Sequence, residues 1–207
     1  MDFFDFLKPK KVIKGYIGFY NLTDWWLHKL SDEERKIILI RYNSKGEKNP
    51  LTEIELYGTS QTIISYLSSM YTTLADVKFL LEKIEKKLYE SFDESDNRMI
   101  LDMHFFYQTK IGFSLKDKEN NLYLDELIAS CNKQINFAKK AANAFKKEYK
   151  KQPLPSHVGY WRLAVILEKE KKYEDSIKIC KQALSQEWAG DWEHRIERCQ
   201  KKIEKQV

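Results

Sequence analysis

Between Leu124 and Phe145, apolar side chains recur three and four residues apart. The stripe runs through Leu124, Leu127, Ile128, Cys131, Ile135, Ala138, Ala142 and Phe145. Such spacing puts them on one face of a helix with 3.6 residues per turn, long enough to organise whatever packs against it. The helix is predicted to extend to about Lys150. It ends at Gln152-Pro-Leu-Pro155 because proline supplies no N–H and disfavours the α conformation before it. The same period recurs at Ile63, Leu67, Met70 and Leu74. It resumes at Val77, Leu80, Leu81, Ile84 and Leu88 after a break near Thr72–Ala75, and again at Ile100, Met103, Tyr107 and Ile111. With only 7 Gly and 4 Pro in 207 residues, a many-stranded sheet would lack turns, so long helices with short connections are expected.

Local signals place the remaining boundaries. Ser31-Asp-Glu-Glu34 reads as a capping box, opening a helix through Ile37, Ile38 and Ile40 to about Tyr42. Thr23 or Asp24 is expected to cap a short helix bearing Trp25 and Trp26. Leu51 to Tyr57 reads as a short extended piece, and Phe3, Phe4, Phe6 and Leu7 as docking onto the body. Near the other end, Gly190 is expected in the left-handed conformation that stops one helix, and Asp191 as the cap of the next. Trp192, Ile196, Cys199 and Ile203 form the buried stripe of that final helix.

Residues 157–187 resemble a tetratricopeptide repeat, a helix–turn–helix unit of about 34 residues. Tyr160, Leu163, Ala164 and Leu167 fall on its first-helix positions, and Tyr173, Ser176, Cys180 and Ala183 on its second. Small side chains are needed where two helix backbones approach, here Ala164 and Ser176, with bulky ones in the flanking grooves. Lys171 stands where the family has a turn glycine, Cys180 where it has an aromatic, and Trp188 where proline closes the unit. The resemblance implies an all-α fold of about eight or nine helices in antiparallel hairpins, a TPR-like superhelix closed by a C-terminal capping helix. An N-terminal helical region, residues 1–95, would precede a TPR-like region, residues 96–207. The shortness of the loops favours one continuous domain. LTDWWLHKLSDEER, with the tail GDW-x₂-RIER, also resembles parts of a set of bacterial proteins, which bears on the fold and carries no activity.

The same resemblance puts Trp161, Val165, Glu168 and Lys169, with Arg162 beside them, on the face that lines the family's concave groove. The Asn and Lys pattern that clamps a C-terminal carboxylate in some relatives is missing, since Trp161 and Val165 take its place. A protein or peptide partner with an apolar or aromatic anchor is therefore expected. Trp161 packed against the preceding helix is the alternative.

Charge supplies a second reading. Residues 1–129 carry 18 basic and 21 acidic side chains, whereas residues 130–207 carry 18 and 10. Lys139, Lys146 and Lys150 are expected to flank one side of the Ile135–Ala138–Ala142–Phe145 stripe, and Lys140, Lys147 and Lys151 the other. Such a set fits solvated lysines laying their stems on a helix, or a contact with a nucleic-acid backbone.

No catalytic constellation is legible. The four histidines lie in different segments without HExxH spacing, and there is neither a Gly-rich phosphate loop nor a GxSxG turn. His104 shares a stripe with Ile100, Tyr107 and Ile111 and is expected as a hydrogen-bonded core histidine. His194 and Cys199, five apart, do not share a helix face. No enzyme, cofactor or metal site is expected. Three scattered cysteines suit a reducing compartment. The N-terminal MDFFDFLKPKK is too short and acidic for a signal peptide, and no run approaches the ~20 apolar residues of a membrane span. A cytoplasmic protein is the expectation.

Overall fold

A computed structural model of the chain describes residues 13–43, 48–116, 123–150 and 152–205. Among these residues the fold is mostly helical, with ten helices and one pair of very short strands. No helix among them is long and apolar enough to cross a membrane. The chain divides into two compact units, Met1–Ser91 and Phe92–Val207.

The first unit holds α1 (Gly15–Phe19), α2 (Thr23–His28), α3 (Asp32–Tyr42), α4 (Ile63–Thr73) and α5 (Lys78–Glu90). The capping box forms: Ser31 Oγ accepts from Glu34 N–H at 3.2 Å, and Glu34 Oε2 accepts from Ser31 N–H at 2.7 Å. Lys83 of α5 then donates to the same Glu34 carboxylate at 2.7 Å. Helix α2 departs from expectation. Thr23 and Asp24 lie inside it, Leu22 takes the cap position, and no side chain caps the helix. Leu51–Tyr57 is not extended either. Gly15 sits at φ +62°, and the carbonyls of Pro50, Leu51, Thr52 and Ile54 accept the N–H groups that open α1. A ladder is unavailable to carbonyls already used as a helix cap. Helix α4 starts at Thr62, whose Oγ1 accepts from Ser65 N–H at 3.1 Å, and ends at Thr73, within the expected break. Its buried face is Ile64, Leu67, Met70 and Tyr71, so Ile63 is displaced to the half-buried edge. Phe3, Phe4, Phe6 and Leu7 lie outside the described residues.

The second unit is built on α6 (Asn97–Lys116) and α7 (Tyr123–Glu148), followed by β1 (Leu154–Ser156), α8 (Val158–Lys169), α9 (Tyr173–Ser185), β2 (Trp188–Ala189) and α10 (Trp192–Glu204). Helix α7 buries Leu127, Cys131, Ile135, Ala138, Ala142 and Phe145, as its period requires. Small Ala138 and Ala141 let neighbouring helices come close, and α6 and α8 both pack on α7. A buried glutamine ties the three together. Gln134 Nε2 donates to the His104 carbonyl of α6 at 3.2 Å, and its Oε1 accepts from Gly159 N–H of α8 at 2.7 Å. A side chain at Gly159 would strike that amide.

Pro153 and Pro155 keep the chain from continuing α7, and β1, which contains Pro155, pairs in parallel with β2, Leu154 opposite Trp188 and Ser156 opposite Ala189. This link brings Trp188 into the core beside α8. Helix α9 packs on both α8 and α10. Ala164 and Ser176 are fully buried, and Ser176 Oγ donates to the Ala164 carbonyl at 3.2 Å. Lys171 takes φ +60° in the turn between α8 and α9, where a glycine would be least strained.

Of two local expectations at 189–192, one fails and the other holds in position only. The left-handed residue is Glu187 (φ 66°), not Gly190. Asp191 stands at the cap position of α10 as expected, but its side chain makes no capping hydrogen bond and lies 3.4 Å from Arg195. Gly190 is needed for a different reason, since a Cβ there would run into the Trp192 indole. That indole donates to the Trp188 carbonyl at 2.6 Å, fixing the start of α10.

Candidate peptide-binding surface

Helix α8 begins at His157, whose Nδ1 accepts from Tyr160 N–H at 3.2 Å in the role more often filled by Ser or Asp. It buries Tyr160, Leu163, Ala164 and Ile166. At 100° per residue, its other side gathers Trp161, Val165, Glu168 and Lys169 into a sector of roughly 100°, with Arg162 at the edge. Trp161 is 38 % exposed, and the Arg162 guanidinium stacks 4.5 Å from its ring centre. Val165 and Glu168 are half-buried, and Lys169 is exposed.

Two clefts run along this sector. One, of about 230 Å³, is lined mainly by apolar surface from Val158, Trp161, Ala189 and Trp192, with Ser156 and His157 at its wall. The other, of about 420 Å³, lies between the C-terminal half of α8 and α10, with Val165, Lys169, Arg198 and Lys202 around its mouth. A further depression of about 260 Å³ continues along α10 past Lys201 and Lys205.

Glu168 is expected to face a partner; its carboxylate instead holds α10. Arg195 Nη1 pairs with it, and Arg198 donates to it from Nε at 3.2 Å and from Nη2 at 2.9 Å. That pairing raises the Arg198 pKa above its ordinary value, and the guanidinium is a fixed cation. Lys169, Lys201, Lys202 and Lys205 form no ion pair among the described residues.

The lysines of α7 are distributed differently. Lys140 pairs with Glu94 at 2.5 Å and Lys146 with Glu187 at 2.8 Å, while Lys139, Lys147 and Lys150 are exposed. Lys151 lies outside the described residues. On α7, Lys139 and Lys146 share one edge, Lys140 and Lys147 point roughly opposite the buried stripe, and Lys150 lies just past the helix end. The set is one partly neutralised ridge rather than two flanks.

Two histidines that sequence leaves 53 positions apart meet in the core. His104 and His157 have ring centres 5.1 Å apart, and His104 lies nearly parallel to Trp188 at 5.3 Å. His104 is a core residue as expected, but neither of its ring nitrogens has a hydrogen-bond partner, and His157 Nε2 has none. Aromatic rings flank the pair, and the hydrogen bond from Tyr160 N–H goes to His157 Nδ1 alone. Burial holds His104 down to about 4 and His157 to about 3, so both rings are neutral at pH 7.

Cys131, Cys180 and Cys199 are free and buried. Burial pushes the Cys131 thiol up to about 12 and Cys180 to about 11, leaving both protonated and unreactive. Among the described residues no group of three or more His, Cys, Asp or Glu is placed to hold a metal ion.

The sequence reading omits Arg195, Arg198 and Lys202 from the surface, although their spacing of three and four puts them on one face of the last helix. What it lacks is the packing that sets this face beside α8. Comparisons with protein-family models, curated proteins and solved structures returned no match.

Proposed function

We propose that the chain is a non-catalytic, cytoplasmic protein-interaction module of tetratricopeptide type, which binds a protein or peptide on the exposed face of α8. The observation that carries this reading is Trp161: a large aromatic left 38 % exposed, stacked by Arg162, and set between two clefts. Aromatic and arginine side chains at the centre of such a face are the residue types that dominate binding energy. The repeat assignment is supported by the α8–α9 pair, read as an antiparallel hairpin. Ala164 and Ser176 meet at its crossing, and Lys171 takes the left-handed turn position. Helix α10 covers α9 in the manner of a capping helix.

The nucleic-acid alternative rests on the exposed Lys139, Lys147 and Lys150. It is weakened by the ion pairs that hold Lys140 and Lys146. Salt separates the two readings. A backbone binder loses affinity with a log–log slope of about −0.9 per phosphate contacted on duplex DNA. A protein partner captured from host lysate should survive nuclease treatment, and Trp161→Ala should weaken it by on the order of 2 kcal/mol. Nuclease-sensitive capture that is unaffected by Trp161→Ala and reduced by Lys147→Glu would replace this reading with the alternative.

A further inference from the structure

We infer that the α8–α10 face takes an acidic peptide segment bearing one apolar anchor, with the anchor at the Trp161 end and the carboxylates at the Lys202 end; this rests on the protein-binding reading above. The argument starts from charge. Lys169, Arg198, Lys201, Lys202 and Lys205, with buried Arg195, line the two depressions beside α10, against Glu168 and Glu197, and Asp191 lies on the far side of Arg195. Glu168 is already shared by two guanidiniums, so it cannot neutralise the lysines around it. A carboxylate-bearing ligand therefore meets a field of the complementary sign, made of two kinds of group. Arg198 is held in place by Glu168 and presents a preorganised cation, whereas Lys169 and Lys202 are free to close on the ligand.

Size and shape argue for a peptide. The apolar cleft of about 230 Å³ is smaller than the roughly 300–1,000 Å³ of small-molecule pockets, and it is open at the surface. It has room for one apolar side chain, with Val158, Trp161 and Trp192 as its walls. From Trp161 to Lys169 the helix rises about 12 Å at 1.5 Å per residue, which an extended peptide spans in about four residues at 3.3 Å each. The ligand so defined is an apolar residue, a spacer of about three, and then a run of Asp or Glu. Nucleic acid fits less well, because base stacking needs several aromatic platforms and this face offers one, already covered on one side by Arg162.

The test uses the full chain and fluorescein-labelled synthetic peptides at about 0.1 M salt. One peptide carries Leu, three Ser and four Glu. The second replaces the four Glu with Gln, and the third replaces Leu with Ser. A 20-nucleotide single strand and a 20-base-pair duplex complete the set. The anchored acidic peptide should bind about tenfold tighter than either peptide control, the increment expected from two or three partly exposed charge contacts or one apolar anchor. Lys169→Glu with Lys202→Glu should remove the advantage over the Gln peptide. Both side chains are exposed, so circular dichroism should be unchanged. Equal binding of the Glu and Gln peptides, both lost in Trp161→Ala, would overturn the inference and leave the protein-binding reading standing. Binding of the oligonucleotides alone would overturn both. Absence of any peptide binding at millimolar concentration would overturn the inference.

Discussion

Acidification from pH 7 to pH 5 should destabilise the Phe92–Val207 unit through His104 and His157. Both imidazoles are almost fully buried, at 1 % and 0 % exposure. The rings facing them are Phe105, Phe145, Tyr160 and Trp188, none of which carries charge, and Tyr160 N–H donates to His157 Nδ1. Burial sets His104 at about 4, and burial together with the neighbouring His104 sets His157 at about 3, against an ordinary 6.5. Because the folded values lie below the unfolded one, the unfolded chain binds protons first. Stability is fully present above about pH 6.5 and falls as pH drops towards 4 and then 3. At about 1.4 kcal/mol per pH unit for each ring, the loss by pH 5 is roughly 2 kcal/mol apiece, or about 4 kcal/mol together. The control is His104→Phe with His157→Asn, which removes both titrations and keeps an acceptor at the start of α8. Urea titrations followed by hydrogen exchange in α6 and α8 should be run on both proteins at the two pH values. Carboxylates contribute equally to both and cancel in the difference. The stability gap should move by about 4 kcal/mol in favour of the double variant at pH 5. A shift below about 1 kcal/mol would refute the assignment of these rings as buried and neutral.

Ala164→Leu should overpack the α8–α9 crossing, where Ala164 and Ser176 have no exposure, and lower stability by about 1–3 kcal/mol. An unchanged melting curve would remove the physical basis of the repeat assignment. Deleting residues 191–207 takes away buried Trp192 and Cys199 and should uncover Cys180 and Ala183 on α9, producing self-association on size exclusion. A truncated chain that stays monomeric and equally stable would show that α10 covers nothing of consequence.

What sequence made legible follows the range of the forces involved. Helix period, proline and the Ser31 capping box act within one or two turns. The ends of α7 and the break after α4 therefore lie close to where local spacing puts them. The close approach at Ala164 and Ser176 was legible only through the resemblance, which aligns a small residue on each of two helices. Local rules failed where a distant contact outweighed them. Gly190 looks like a helix stop, but the left-handed residue is Glu187, and Asp191 keeps the cap position while its side chain turns to Arg195 beside the buried Trp188 and Trp192. The β1–β2 pairing and the meeting of His104 with His157 depend on chain segments tens of residues apart, and no periodicity encodes them. The surface shows the same division. Trp161, Val165 and Lys169 could be chosen from one helix, whereas Arg198 and Lys202 join them only through packing, and that packing also engages Glu168.

The claim that the α8 face is the binding surface is tested most directly by nuclear magnetic resonance. Backbone amides of the ¹⁵N-labelled full chain would be followed while the anchored acidic peptide is titrated in. Shift changes should cluster at Trp161–Lys169 of α8 and at Arg195–Lys202 of α10, with the Trp161 indole N–H among the most perturbed. Changes centred instead on the Lys139–Lys150 ridge of α7, with α8 and α10 unmoved, would contradict the account.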